Sequence, residues 1–203
     1  MQPLMLLKLT RISQSSFPLP EGVEAVNLRG WPRPSHSSQA NQGHMLFGSD
    51  LMLSAPTWES LRWLRGLTKL PIWVKGIVSA PDAQLAAKYG ADGIILSNHG
   101  GRVLDGLISP LTILPEVRAA LGPDVPILID SGVRTGGDIA KALALGANAA
   151  LIGRPQLHAL AVAGMQGCAH MLQILRAELE HVMAQLGCPT PADFRPDHLR
   201  LRR

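Results

Sequence analysis

The chain has 203 residues, 46% of them hydrophobic and 17% charged, which is about one globular domain with enough apolar material for a core and too little charge for disorder. Two cysteines exclude a disulfide scaffold, and no apolar run approaches the roughly 18–20 residues that span a bilayer. The formal net charge of +4 owes much to Arg195, Arg200, Arg202 and Arg203, and aromatic residues are only 4%, so the basic stripe with interleaved aromatics of a nucleic-acid surface is not indicated.

Three segments are expected. Residues 1–55 read as irregular: MQPLMLLKLTR is too brief for a secretory signal, which points to the cytoplasm, and WPRPSHSSQANQGHMLFGSD reads as a long mobile loop. Residues 56–194 form the regular domain, and 195–203 a basic tail. Within the domain, Thr57 caps a helix that places Trp58, Leu61 and Leu64 on one face before Gly66. A first strand covers 71–76, with Trp73 expected in the core. Ser79, Pro81 and Asp82 open a helix that stops at Gly90, and a second strand covers 93–98. A helix over 111–121 stops at Gly122, a third strand covers 126–131, and a helix opens at Asp138 and stops at Gly146. A fourth strand covers 149–154, and a terminal helix over 167–186 ends at Gly187. The strands are nearly all apolar until their ends, as in a parallel sheet buried on both faces, and strand–helix alternation makes this an α/β chain.

The polar residues gather at the C-terminal ends of the strands: Lys75, Ser97, His99, Asp130 and Arg154. That rim carries ligands in a (β/α)8 barrel, and no GxGxxG follows any strand, so a partial barrel is favoured over a dinucleotide-binding sheet. Four strands are half of a barrel, and the length falls short of the roughly 250 residues typical of a whole one.

In the turn Asp130, Ser131, Gly132, Val133, Arg134, backbone N–H groups can seat an anion, with Gly153 and Arg154 supplying a second turn and a guanidinium suited to phosphate. The alternative is that the glycines only turn the chain and Arg154 makes a surface ion pair. His99, at a strand end and flanked by glycines, has the setting of a general base, and Arg102 that of a carboxylate clamp; the plainer reading is a structural histidine. Lys75 either needs an anionic partner at the mouth or snorkels at the rim. Cys168 and Cys188 have no metal-ligand or redox spacing, and no metal is expected.

LPIWVKG (70–76), GADGIILSNHGGR (90–102), LDG (104–106), ILIDSGVRTGGDIAKALALGANAALIGRP (127–155) and QLGC (185–188) resemble the FMN-dependent 2-hydroxy acid oxidases and dehydrogenases. The resemblance implies the last four strands of a TIM barrel, FMN as cofactor, and oxidation of a 2-hydroxy acid to a 2-oxo acid. It implies that His99 takes the proton from Cα or from the hydroxyl, and that Arg102 binds the substrate carboxylate. Lys75 would stand at the flavin N1/O2 edge and Ser97 against its ring, while Asp130, Ser131, Gly132, Val133, Arg134, Gly153 and Arg154 would hold the ribityl phosphate. A family-like homo-oligomer (a tetramer), peripheral inner-membrane association, and O2, quinone or cytochrome as electron acceptor are further implications. The family's aspartate that orients the histidine has no counterpart in this chain, nor does Arg11, upstream of Phe17, fall in the family's register. A catalytically inactive fragment that retains phosphate or FMN binding is therefore a second expectation. An IMP dehydrogenase-like phosphate-binding barrel is a third, which SNHGGR disfavours.

Overall fold

In the computed structural model the chain divides into two compact units, Met1–Ser54 and Ala55–Arg203. The structure describes Ala55–Arg200 together with Glu21, Gly22 and Val26. The expected mobile loop, Arg11, Phe17 and the end of the basic tail lie outside the described residues.

The second unit alternates helix and strand. Helix α1 (Trp58–Leu67) begins where the Thr57 N–H donates to Ser60 Oγ at 3.1 Å. It runs one residue past Gly66. Strand β1 (Trp73–Ile77) leads to α2 (Ala80–Lys88), whose first turn is capped by Ser79 Oγ accepting from the Asp82 N–H. Strand β2 (Gly93–Leu96) ends in a short 3-10 turn, His99–Gly101. Helix α3 (Pro110–Leu121) stops at Gly122, and β3 (Ile127–Ile129) follows. Helix α4 (Gly136–Ala144) begins two residues before the expected Asp138, because Thr135 is its cap and Asp138 completes a reciprocal capping box. Strand β4 (Ala149–Ala150) is short, and the following α5 (Arg154–Leu186) breaks only at Ala163 and Gly164. Two expectations are corrected here. The fourth strand does not reach Arg154, which is instead the first residue of a helix, and the terminal helix begins 13 positions before residue 167.

The sheet order is β1-β2-β3-β4 and every pairing is parallel. Its centre is as expected: Ile94 and Leu96 of β2 and Ile127 and Ile129 of β3 are almost wholly buried against Leu114 and Val117 of α3 and Ala83 and Ala86 of α2. Removing the Leu114 side chain to alanine there is worth about 2–5 kcal/mol. The edges differ. Among the described residues β1 and β4 each pair on one side only, and β1 is largely exposed. Trp73 is not in the core: it keeps 38% of its surface and lays its ring over Gly93, where a Cβ has no room. Burial on both faces, read from the apolar run, needs a layer packed over each face, and most of β1 is left exposed. Trp63, Leu67 and Leu70, which precede β1 in the chain, and Leu157, Leu160, Val162 and Met165 on α5, are exposed.

The strands are parallel, so their C-terminal ends open on one side. At Gly76 (φ +98) the β1–β2 register slips by one residue, a bulge that sits immediately after Lys75. Behind the sheet, Gly136 lets α4 approach α5 so closely that a Cβ would meet the Glu178–Leu179 backbone, and its N–H donates to Glu178 Oε2 at 2.7 Å.

Candidate active site

At the C-terminal end of the sheet lies a cavity of about 250 Å³. Ten of the expected site residues line it: Lys75, His99, Arg102, Asp130, Ser131, Gly132, Val133, Arg134, Gly153 and Arg154. Ser97, the eleventh, lies beneath the wall with only 3% of its surface exposed. Sequence reasoning missed the rest of the lining, including Gly100 and the first turn of α5 (Pro155, Gln156, Leu157), since both were hidden by the misplaced end of the fourth strand and by attention to charged groups.

The floor is a small polar network. Lys75 Nζ stands 2.7 Å from Asp130 Oδ2 and donates to Ser97 Oγ at 2.8 Å. Ser131 Oγ donates to Asp130 Oδ1 at 2.7 Å. Lys75, on a strand that among the described residues pairs on one side only, keeps 45% of its side chain exposed, while the Asp130 side chain keeps 18%. Burial opposes ionisation of Asp130, but hydrogen bonds from Lys75, Ser97 and Ser131 and the Lys75 charge outweigh it and hold the carboxyl below its usual range. The anionic partner sought for Lys75 is thus Asp130 itself, a pairing the sequence hid because the two residues lie on strands separated by β2.

Above this floor the His99 turn is held by outside groups. The His99 N–H donates to Ser97 Oγ at 3.1 Å, the Gly100 N–H to Ser131 Oγ at 3.1 Å, and Arg154 Nη2 to the Gly100 carbonyl at 3.3 Å. Among the described residues no hydrogen bond reaches the His99 ring or the Arg102 guanidinium. The turn after β3 is tied differently: Asp138 Oδ2 accepts from the N–H groups of Arg134 and Thr135, each at 3.1 Å, and Lys141 pairs with Asp138 at 3.2 Å. Burial works against the Asp138 carboxylate, yet these donors still lower its pKa.

The lining suits anions. Four cations, Lys75, Arg102, Arg134 and Arg154, face one carboxylate. Among the described residues the backbone N–H groups of Gly132, Val133 and Gly153 are unpaired, and the chain turns sharply at Ser131 (φ +70) and Gly132 (φ +93), so that successive N–H groups of the turn are available to an anion as in a nest. A phosphate fits this donor set, and a second carboxylate fits Arg102.

The comparisons agree with this chemistry. The family model described as FMN-dependent dehydrogenase matches residues 6–201. The chain is 47% identical over 186 residues to an L-lactate oxidase of Alicycliphilus denitrificans, covering 92% of this chain and 51% of that protein. It is 50% identical over 143 residues to the (S)-mandelate dehydrogenase of Pseudomonas putida, covering 70% of this chain and 36% of that protein. A solved structure of a point mutant of an active chimera of (S)-mandelate dehydrogenase superposes with a TM-score of 0.77 at 39% identity, covering 97% of this chain and 54% of that one. The chain spans about half the length of the curated relatives it matches. Among the described residues no helix is long and apolar enough to cross a membrane. The sheet is part of an α/β barrel, the IMP dehydrogenase-like alternative gains no comparable support, and a chain whose strand ends carry this cationic, nest-forming rim belongs to the FMN-dependent dehydrogenase family.

Proposed function

We propose that this chain carries the cofactor- and substrate-binding rim of an enzyme that oxidises a 2-hydroxy acid to a 2-oxo acid with FMN. The observation that carries the proposal is the meeting of His99, Arg102 and the Gly132–Arg134 nest in one cavity. FMN, when bound, accepts the electron pair lost by the substrate. The N–H groups of Gly132, Val133 and Gly153, with Arg134 and Arg154, hold its phosphate. Lys75 offers a donor to the flavin ring, its charge already partly balanced by Asp130. Ser97 acts from beneath, by fixing the Lys75 ammonium. Arg102 binds the substrate carboxylate as a bidentate fork, which presents the 2-hydroxyl and Cα to His99. His99 takes the proton that leaves Cα or the hydroxyl.

A second reading is favoured by one observation: the His99 ring has no hydrogen-bond partner among the described residues, so nothing there fixes its tautomer. On that reading the chain binds flavin but does not turn over. The visible spectrum of the purified 203-residue chain, after FMN loading and desalting, separates the two. Retained flavin bands that bleach with a 2-hydroxy acid support the oxidoreductase; retained bands that do not bleach support the second reading. Absence of flavin overturns the proposed cofactor site. A cytoplasmic homo-oligomer, with O2, quinone or cytochrome as acceptor, belongs to the same proposal; oxygen uptake and sedimentation check it.

A further inference from the structure

We propose that the Ser131 hydroxyl is a positioning group for His99: it fixes the Gly100 amide to the Lys75–Asp130 pair and so sets where the imidazole stands. The inference rests on the reading of His99 as the base.

Among the described residues only two non-glycines have φ in the left-handed region, His99 (+56) and Ser131 (+70). Such a conformation persists when the surroundings over-determine it, and here each of the two residues belongs to the other's surroundings. Ser131 Oγ has one proton, given to Asp130 Oδ1 at 2.7 Å, and a lone pair that accepts from the Gly100 N–H at 3.1 Å. On the other side of His99, its own N–H donates to Ser97 Oγ, which also accepts from Lys75 Nζ. The peptides flanking the His99 side chain are therefore tied, through one serine each, to the same ion pair. Both peptides that carry the His99 side chain are thus fixed by groups outside them, and that backbone placement sets where the ring stands. The spent proton also separates this role from phosphate binding: in this geometry the Ser131 hydroxyl has no hydrogen left for an anion, whereas the Gly132 and Val133 N–H groups do. Glycine would adopt φ +70 without strain, so Ser131→Gly relaxes the turn while deleting the hydroxyl.

The test compares Ser131→Gly and Ser131→Ala in the full chain by NMR and kinetics. Without flavin, Gly100 amide exchange is expected to speed up about tenfold in both variants, with the Ile94 and Ile129 amides unchanged as a check on folding. The His99 imidazole Cε1–H resonance, assigned through His99→Gln, is expected to shift in both. With flavin, kcat for a 2-hydroxy acid falls about tenfold in both, while KM and flavin occupancy hold. Unchanged Gly100 exchange and an unmoved His99 resonance in Ser131→Gly overturn the proposal, as does loss of flavin with kcat preserved in the loaded fraction, which makes Ser131 a phosphate ligand. If the wild type shows no turnover, the oxidoreductase reading fails, and the exchange and imidazole results still decide whether Ser131 governs the His99 turn.

Discussion

Two glycine-containing turns follow neighbouring strands, and they are built on opposite plans. The turn after β3 has a local closure at its far end: Thr135, Asp138 and Lys141 lie within seven residues of one another and close a capping box at the head of α4. The turn after β2 closes on itself through the Gly101 and Arg102 N–H groups, which donate to the Asn98 and His99 carbonyls at 3.1 and 3.4 Å, and the rest of it is held from outside. Its amides and carbonyl are held by Ser97, by Ser131 from 31 residues away and by Arg154 from 54 residues away. A locally closed turn suits the rigid seat proposed for a phosphate. A turn held from two strand ends and a helix start responds to what happens at each of them, which suits a group that must meet a substrate.

The largest expected effect sharpens this division. His99→Gln in the flavin-loaded protein is expected to cut turnover by about 10²–10⁴-fold with FMN still bound, as for loss of a general base; steady-state kinetics beside flavin absorbance checks it. Arg102→Met is expected to raise KM by about 10–100-fold, from loss of a charge-assisted pair, with a smaller change in kcat. Unchanged KM breaks its assignment to the carboxylate. Arg154→Ala bridges the two turns, since its guanidinium both lines the phosphate seat and bonds Gly100. Weaker FMN retention by about tenfold, measured by equilibrium dialysis, is expected together with faster Gly100 exchange. Thr135→Ala touches only the local turn. It should cost about 1 kcal/mol of stability in thermal unfolding and leave Gly100 exchange alone.

The smallest effect is in acid. Burial opposes the charged forms of Asp130 and Asp138, but their hydrogen bonds win, and both carboxyls are depressed in the folded chain. Their contribution is fully present above the unfolded carboxylate value of about 4 and is lost as pH falls through the lower folded values. Asp130→Asn should therefore be less stable than the wild type near neutral pH and lose less on acidification; parallel slopes in acid denaturation would remove Asp130 from this account.

Reading from residues alone went far where structure is local. Ser79 before Pro81 and Asp82, Gly90, Gly122 and Gly187 each ended or opened a helix close to the place expected. The gathering of Lys75, His99, Asp130 and Arg154 on one rim followed from parallel strands, which all present their C-terminal ends to the same side. It went wrong where a residue's surroundings come from elsewhere in the chain. Trp73 looked buried because its run is apolar, yet most of β1, which among the described residues pairs on one side only, is exposed. Arg154 looked like a strand end because LIG is apolar, yet pairing stopped at Ala150.

The order of the elements, the parallel sheet and the polar rim were legible along the chain, since strand patterns, caps and glycine stops act over a few residues. Folding in three dimensions was needed to pair Lys75 with Asp130, to put Ser97 under the floor, and to bring Ser131 to the turn of His99. Those contacts join residues on different strands, far apart in the chain. They depend on strand register and on the Gly76 bulge, which the order of residues along one strand does not reveal.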